Sequence, residues 1–286
     1  MSFFLLPFEY EFFRNGFIAA VVVGGLCAFI GVYVVLRRMS YIGHGLSHAI
    51  FGGAVLSYVM NVNFFVGAGV WALFAGFLIH SISHRRWVGA DAAIGVVTTS
   101  SFALGVAIVS TYRSFTRNIE AALFGNILGI TQKDLWIVVL IALMVLATLI
   151  ILRRQLLFAT FDPEVASAYG VSTGKIDLIF ITLLAVTVLA STQILGVTLV
   201  AAAMVIPPVI ARYLTNRFHR LLILSPIIGI LCGAAGMYLS FYLDISSAAT
   251  IVLTAAAIFF VLELLLWFRS QQRLSASPVH RMRDLR

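Results

Sequence analysis

Between residues 17 and 268 the sequence is a succession of apolar runs, at about 17–36, 41–60, 64–83, 92–111, 135–152, 176–193, 195–212, 221–242 and 247–268, joined by short polar segments. Crossing the hydrocarbon of a bilayer takes about 20 apolar residues in a helix. Without water each crossing must satisfy its backbone hydrogen bonds internally, which selects helices over any open sheet. The expected fold is therefore all-α, a polytopic membrane helical bundle of about eight or nine transmembrane helices, and a merged or re-entrant pair would change the count by one. Residues 119–130 are too few to cross and are expected at a surface or as a re-entrant piece. Usage agrees, with 62% of the 286 residues hydrophobic and 10% charged, against roughly 45–50% and about 25% in soluble domains. No soluble core of this size could bury the excess. A soluble enzyme, a nucleic-acid binder and a disordered chain are excluded.

The formal net charge of +8 does not form a phosphate-binding patch. The basic residues stand in pairs at the ends of apolar runs, as Arg37-Arg38, Arg85-Arg86 and Arg153-Arg154, the pattern left by membrane orientation. With the N-terminus outside, the inner loops and tail hold Arg37, Arg38, Arg85, Arg86, Arg153, Arg154, Lys175, Arg212, Arg217, Arg220, Arg269, Arg273, Arg281, Arg283 and Arg286. The outer side then holds Arg14, Arg113, Arg117 and Lys133, so 15 of the 19 basic residues lie inside. This bias predicts an outer N-terminus and a cytoplasmic C-terminus. The chain reads as a single domain over 1–286, with 1–16 an interfacial, Phe-rich lead-in and 269–286 a basic cytoplasmic tail. The lead-in carries Glu9 and Glu11 and lacks a basic n-region, so it is not a cleavable signal peptide. Cys27 and Cys232 lie inside apolar runs and read as small buried hydrophobes. Gly24-Gly25, Gly52-Gly53 and Gly229 with Gly233 provide the small surfaces that let helices pack closely in lipid.

No soluble catalytic motif is present. Residues 170–176 (GVSTGKI) fall short of a phosphate loop, because three residues instead of four separate the glycines and Ile176 stands where a magnesium-binding Ser or Thr is required. The chain has no ATP site, so ATP-driven work would need another polypeptide. Ionisable residues inside spans are candidates for function. The sharpest set is His44 and His48, four residues apart on one face of the second span and flanked by Gly43, Gly45 and Ser47. Neutral imidazole is the commonest side-chain ligand for a transition metal. Starting from Arg38, the helical rise puts the two rings roughly 9 and 15 Å above the inner boundary, where a passing ion needs substitutes for its water. A symmetric dimer would present four imidazoles to one pathway.

His80 and His84 repeat the spacing beside Arg85 and Arg86, where positive neighbours disfavour a cation and interface anchoring is expected. Glu263, in the last span, is read as structural. Asp91 is explained by the dipole at a helix N-terminus. Asp244 and Glu120 are expected as solvated outer carboxylates, and His219 and His280 as parts of basic cytoplasmic segments. Two cytoplasmic stretches carry polar punctuation: 161–172, with Asp162, Glu164 and Gly170, and 206–220, where Pro207 and Pro208 are expected to break the seventh span. A short basic helix is expected to follow the prolines.

Taken in order, residues 36–49 (LRRMSYIGHGLSHA), 91–96 (DAAIGV), 123–128 (LFGNIL), 161–166 (FDPEVA) with Gly170, and 196–200 (GVTLV) leading into Ile206-Pro207 resemble the permease subunits of zinc and manganese ABC importers over almost the whole chain. The resemblance implies a type II importer-like permease in a bacterial-type inner membrane. It implies a homodimer, two copies of a cytoplasmic ATP-binding subunit and an extracytoplasmic metal-binding protein as partners, with no enzymatic activity in this chain. It implies no permanently bound cofactor, the ion being Zn2+ or Mn2+ in transit. By motif, His48 matches the family's path-lining histidine, while His44 stands where the family commonly has aspartate. Carboxylate plus imidazole suits manganese, and two imidazoles shift preference toward zinc, so zinc is expected as the favoured cargo and manganese as the next. The resemblance also assigns ATPase contact to Pro207, Pro208, Arg212, Arg217, Phe218 and Arg220, supported by Asp162, Glu164 and Gly170. Residues 244–249 replace the family's usual Pro-x-Gly element.

Three rival readings remain open from the residues. A cobalamin- or siderophore-type ABC permease would need a wider cavity poorer in ligands. An ATP-independent secondary transporter or cation channel would work without a nucleotide-hydrolysing partner and often shows an inverted repeat. A membrane-embedded enzyme is the third.

Overall fold

The computed structural model describes residues 5–83, 89–111 and 123–275. Its long helices are α1 (Glu11–Leu36), α2 (Ser40–Val59), α3 (Phe64–Ser83), α4 (Ala90–Thr111) and α5 (Gln132–Ile151). Two short helices follow, α6 (Arg153–Phe161) and α7 (Pro163–Ala168), then α8 (Thr173–Leu214), α9 (Phe218–Leu243) and α10 (Ser247–Ser275). Among the described residues seven helices are long and apolar enough to cross a membrane: α1, α3, α4, α5, α8, α9 and α10. Helix α2 has the length but stands outside that set, because two histidines, three serines and four glycines dilute its apolar content.

The runs at 176–193 and 195–212 fall in one 42-residue element, α8, that reverses direction at Gly196 (φ 77°, ψ 161°). Its first arm starts beside the end of α1, where Asp177 pairs with Arg37, and climbs until Ser191 Oγ lies 3.1 Å from Cys27 Sγ. The second arm returns, so that Met204 and Pro208 face Gly31 and Ala211 joins Val32. Both ends of α8 therefore lie at the Arg37 end of the bundle. The expected break at Pro207-Pro208 is not there; the helix runs on to Leu214. Pro208 lacks the N–H that would bond Met204 O, but the helix accommodates this by packing that carbonyl against Gly31, where a Cβ would lie 1.9 Å from it. The short basic helix expected after the prolines is likewise absent: residues 215–217 form a non-helical link, and α9 begins at Phe218.

The small-residue surfaces do what their placement predicts. Gly24 on α1 meets Gly229 on α9 backbone to backbone, and Gly233 meets Ala20 O. Gly52 on α2 lies against Ser101 O of α4, and Gly53 against Trp71 of α3. The N-terminal segment, expected as an interfacial lead-in over 1–16, runs into α1, which begins at Glu11, with Leu6, Tyr10 and Phe12 exposed. Phe13 is buried, with ring centroids 5.3 Å from Phe8, 5.7 Å from Tyr238 and 5.3 Å from Phe241. Edge-to-face contacts of this kind add about 0.5–1.5 kcal/mol each beyond the area they bury.

At the other end of α1, Arg37 is 9% exposed and joins three elements. Its Nη1 donates to Asp177 Oδ1 at 2.6 Å, its Nε donates to Thr160 Oγ1 at 2.9 Å, and its Cζ sits 4.5 Å above the Phe180 ring. A guanidinium this deep is held by an ion pair, a hydroxyl and a π face together.

The glycine contacts yield a paired prediction. A Cβ at Gly24 would lie 2.5 Å from Gly229 O, whereas at Gly25 it meets only the flexible Ile230 side chain. Gly24→Ala should destabilise the purified protein by about 1–3 kcal/mol, and Gly25→Ala by less than about 1 kcal/mol. Thermal unfolding in one detergent checks both, and equal losses would contradict the packing assignment.

Candidate functional site

The second run is expected at 41–60, and α2 occupies Ser40–Val59. It starts after Arg38, whose left-handed φ of 57° turns the chain back from α1. The glycines beside His44 serve the neighbours. Gly43 faces Met204 and Ala201 of α8, while a Cβ at Gly45 would come within 2.7 Å of Ile94 and 2.8 Å of Thr98 on α4. Both helices can therefore close on α2 around the histidine. Ser47 Oγ donates to His44 O at 2.8 Å, so the hydroxyl is spent within its own helix.

The four-residue spacing brings the rings together. His44 Nε2 and His48 Nε2 are 3.1 Å apart, with ring centroids at 4.4 Å and planes at 83°. Phe102 of α4 buttresses His48 edge-on at 5.0 Å. His48 Nδ1 is buried without a hydrogen-bond partner. The pair looks into a cavity of about 500 Å³ between α2 and α4, whose lining includes Tyr41, Asp91, Gly95, Thr98 and Thr99. Thr98 Oγ1 is committed to Ile94 O at 2.8 Å. Above the pair, Phe51, Val55 and Val197 form a separate apolar cluster with Phe102 and Leu123 against it.

Two Nε2 atoms at this separation can share one cation. At 3.1 Å one ring's Nε2–H can donate to the other ring's Nε2, and with both Nε2 atoms deprotonated the two lone pairs can meet one cation. Among the described residues no third His, Cys, Asp or Glu joins them to make a closed site. An open two-imidazole site leaves the remaining positions to water, as suits an ion that must leave again.

The nine residues assigned to ATPase contact gather at the Arg37 end. Asp162 caps α7, its carboxylate accepting from Val165 N at 3.0 Å, and Gly170 follows with φ 80°. Glu164, Arg212, Arg217 and Arg220 are exposed, and Pro207 and Pro208 are buried in α8. Phe218, at the start of α9, links the two stretches: its ring lies 6.2 Å from Phe161 and 5.8 Å from Tyr33. His80 ends α3 half-buried, whereas His84, Arg85, Arg86, Glu120 and His280 lie outside the described residues. Glu263 is exposed on α10. Asp244 caps α9 and lines a crevice of about 300 Å³ with Asn126 and Ser247 at the opposite end of the bundle.

Sequence reasoning missed the α4 side of the cavity. Asp91, Gly95, Thr98, Thr99 and Phe102 recur at helical spacing. This polar stripe in an apolar helix was the available signal, and it was obscured because each member has an ordinary reading alone.

The imidazole pair predicts a measurable affinity. In calorimetric titration of the detergent-purified chain with Mn2+ and with Zn2+, His48→Ala should weaken binding at least about tenfold, since even loss of a ligand's outer-shell partner costs about 10–100-fold. Unchanged affinity would show that the metal binds elsewhere.

Comparison with known proteins sets this geometry in context. The family model described as "ABC 3 transport family" matches residues 9–266. The manganese transport system membrane protein MntC of Halalkalibacterium halodurans is 35% identical over 251 residues, covering 88% of this chain and 86% of that protein. The chelated iron transport system membrane protein YfeC of Yersinia pestis is 34% identical over 255 residues, covering 89% and 86%. Among solved structures, PsaBC from Streptococcus pneumoniae in complex with Fab superposes with a TM-score of 0.82 at 30% identity, covering 91% of this chain and 94% of that one.

Proposed function

The chain belongs to the ABC 3 transport family, and from that premise we propose that it is the membrane permease of an ATP-driven importer of divalent metal ions, with manganese the first cargo and zinc the next. The observation that carries the proposal is the pair of Nε2 atoms 3.1 Å apart, turned into a cavity between two helices. Manganese is placed first because relatives carry that metal in their names. Two imidazoles in place of carboxylate and imidazole keep zinc in contention.

The face that carries the site supports a homodimer. Tyr41, His44, Asp91, Thr99 and Ser100 are all exposed on α2 and α4, and such groups are unfavourable against lipid tails. A second copy across this face would cover them and bring four imidazoles to one axis. With α8 read as two crossings and α2 as one, the bundle has nine, which puts the termini on opposite sides; the excess of basic residues on the Arg37 side then makes that end cytoplasmic and the N-terminus outer. There Asp162, Glu164 and Gly170, with Pro207 to Arg220, form the contact for two ATP-hydrolysing subunits. The opposite end receives an extracytoplasmic metal-binding protein.

The mechanism follows from these parts. ATP-driven closure of the partner subunits pushes on α7 and on the start of α9. The Phe161–Phe218 contact makes the two stretches move together. The rocking of the two copies exposes the imidazoles first to the outer side and then to the inner one. Each ring supplies a neutral donor that replaces part of the ion's water, and neither forms a closed site that would trap it. The cavity is lined by two imidazoles and a carboxylate, groups that bond a bare ion directly, whereas a cobalamin or chelate cargo would already have its metal's ligands filled.

Uptake into proteoliposomes containing the complete complex, with its binding protein, tests the proposal. Metal uptake should require ATP, His48→Ala should reduce it at least about tenfold with assembly intact, and His44→Asp should raise the Mn2+ to Zn2+ uptake ratio. Uptake without the ATPase subunits would favour the secondary-transporter reading, and undiminished uptake by His48→Ala would remove the pathway.

A further inference from the structure

We propose that Asp91 is a second ion station: a carboxylate at the Arg37 end of the cavity that takes the divalent cation from the imidazole pair and hands it, partly hydrated, to the cytoplasm. The inference rests on the metal-permease reading above and adds a residue and a step to it.

The register of α2 against α4 places the station. A Cβ at Gly45 would touch both Ile94 and Thr98, so Gly45 is level with the midpoint between them, and farther along Gly52 meets Ser101 O and Gly105. The two helices therefore run parallel, with His44 about level with Gly95. Asp91 lies one helical turn, about 6 Å, below His44 toward the Arg37 end, and His48 lies about 6 Å above it. All three side chains line the same cavity. The ligands form a ladder with one rung per turn: imidazole, imidazole, carboxylate.

Among the described residues that line the cavity, Asp91 is the one anion. A dication held by two neutral imidazoles carries its full charge, and leaving them unaided means crossing a low-dielectric wall. A carboxylate one turn away offsets that charge. Its oxygen is also a harder ligand than imidazole and binds ions that keep several waters. The order of ligands thus matches progressive rehydration. Tyr41, exposed at the same level and in the same lining, completes the mouth.

The dipole of α4 explains why a carboxylate is tolerated in its first turn, but does not require that it face the imidazoles. The two roles separate experimentally. Asn keeps a hydrogen-bonding oxygen at the helix start and removes the charge, whereas Glu keeps the charge. In proteoliposomes with the complete complex, Asp91→Asn should lower the turnover of Mn2+ uptake about tenfold while the KM for metal-loaded binding protein stays within about twofold, and Asp91→Glu should hold turnover within about threefold of the parent. Calorimetric Mn2+ binding at the imidazole pair should be retained in Asp91→Asn. Turnover unchanged in Asp91→Asn, or lost equally in both variants, would overturn the second station. Absence of ATP-dependent uptake by the parent complex would instead overturn the permease reading on which it stands.

Discussion

In hydrocarbon an unpaired backbone N–H or C=O costs several kcal/mol, so a chain can leave the helix there only where other protein groups complete its hydrogen bonds. This protein leaves the helix at Gly125 and Gly196 and sets the two places against each other. Both residues have positive φ, 80° and 77°, and a Cβ on Gly125 would lie 2.4 Å from Ile194 O. Asn126 N donates to Gln193 O at 3.1 Å, and Thr198 Oγ1 donates to Leu123 O at 3.0 Å. Each irregular segment thus supplies the partners that the other lost. Without this clasp α8 could not reverse inside the bundle, and its second arm could not lie behind α2.

That second arm sets the site. Ala201 and Met204 back Gly43, while α4 closes on Gly45 from the other side, so the short helical stretch bearing His44 and His48 is packed between α8 and α4. At the Arg37 end the same α8 is tied to α1 and α6 through the ion pair with Asp177 and the bond to Thr160. The backbone that carries the two imidazoles is therefore packed on both sides, while the rings themselves look into an open cavity.

Much of this was legible in the residues. The run at 64–83 coincides with α3, and the 41–60 run with α2 to within one residue, because an apolar stretch with polar ends marks membrane helices well. The spacing of His44 and His48 on one face also carries over, since a helix fixes it. The reversal was harder to see. Paired prolines are the stronger local signal for a break, yet α8 absorbs them by lending Met204 O to Gly31, and the turn falls instead at a glycine whose left-handed φ only the clasp with Gly125 explains. Asp91 was read from its own helix as a dipole partner. Its place in the cavity depends on the register of α4 against α2, a tertiary relation that one strand of sequence does not encode locally. The aromatic packing of Phe8 and Phe13 on α9 was hidden for the same reason.

The central claim is that one passing cation bonds both imidazoles at once. Anomalous diffraction from crystals of the complex grown with Mn2+, recorded on both sides of the manganese absorption edge, measures this directly. The account predicts a peak within about 2.3 Å of both His44 Nε2 and His48 Nε2, with water or a second copy's groups completing the shell. A manganese peak bonded to neither ring, with both imidazoles turned onto neighbouring backbone, would contradict it.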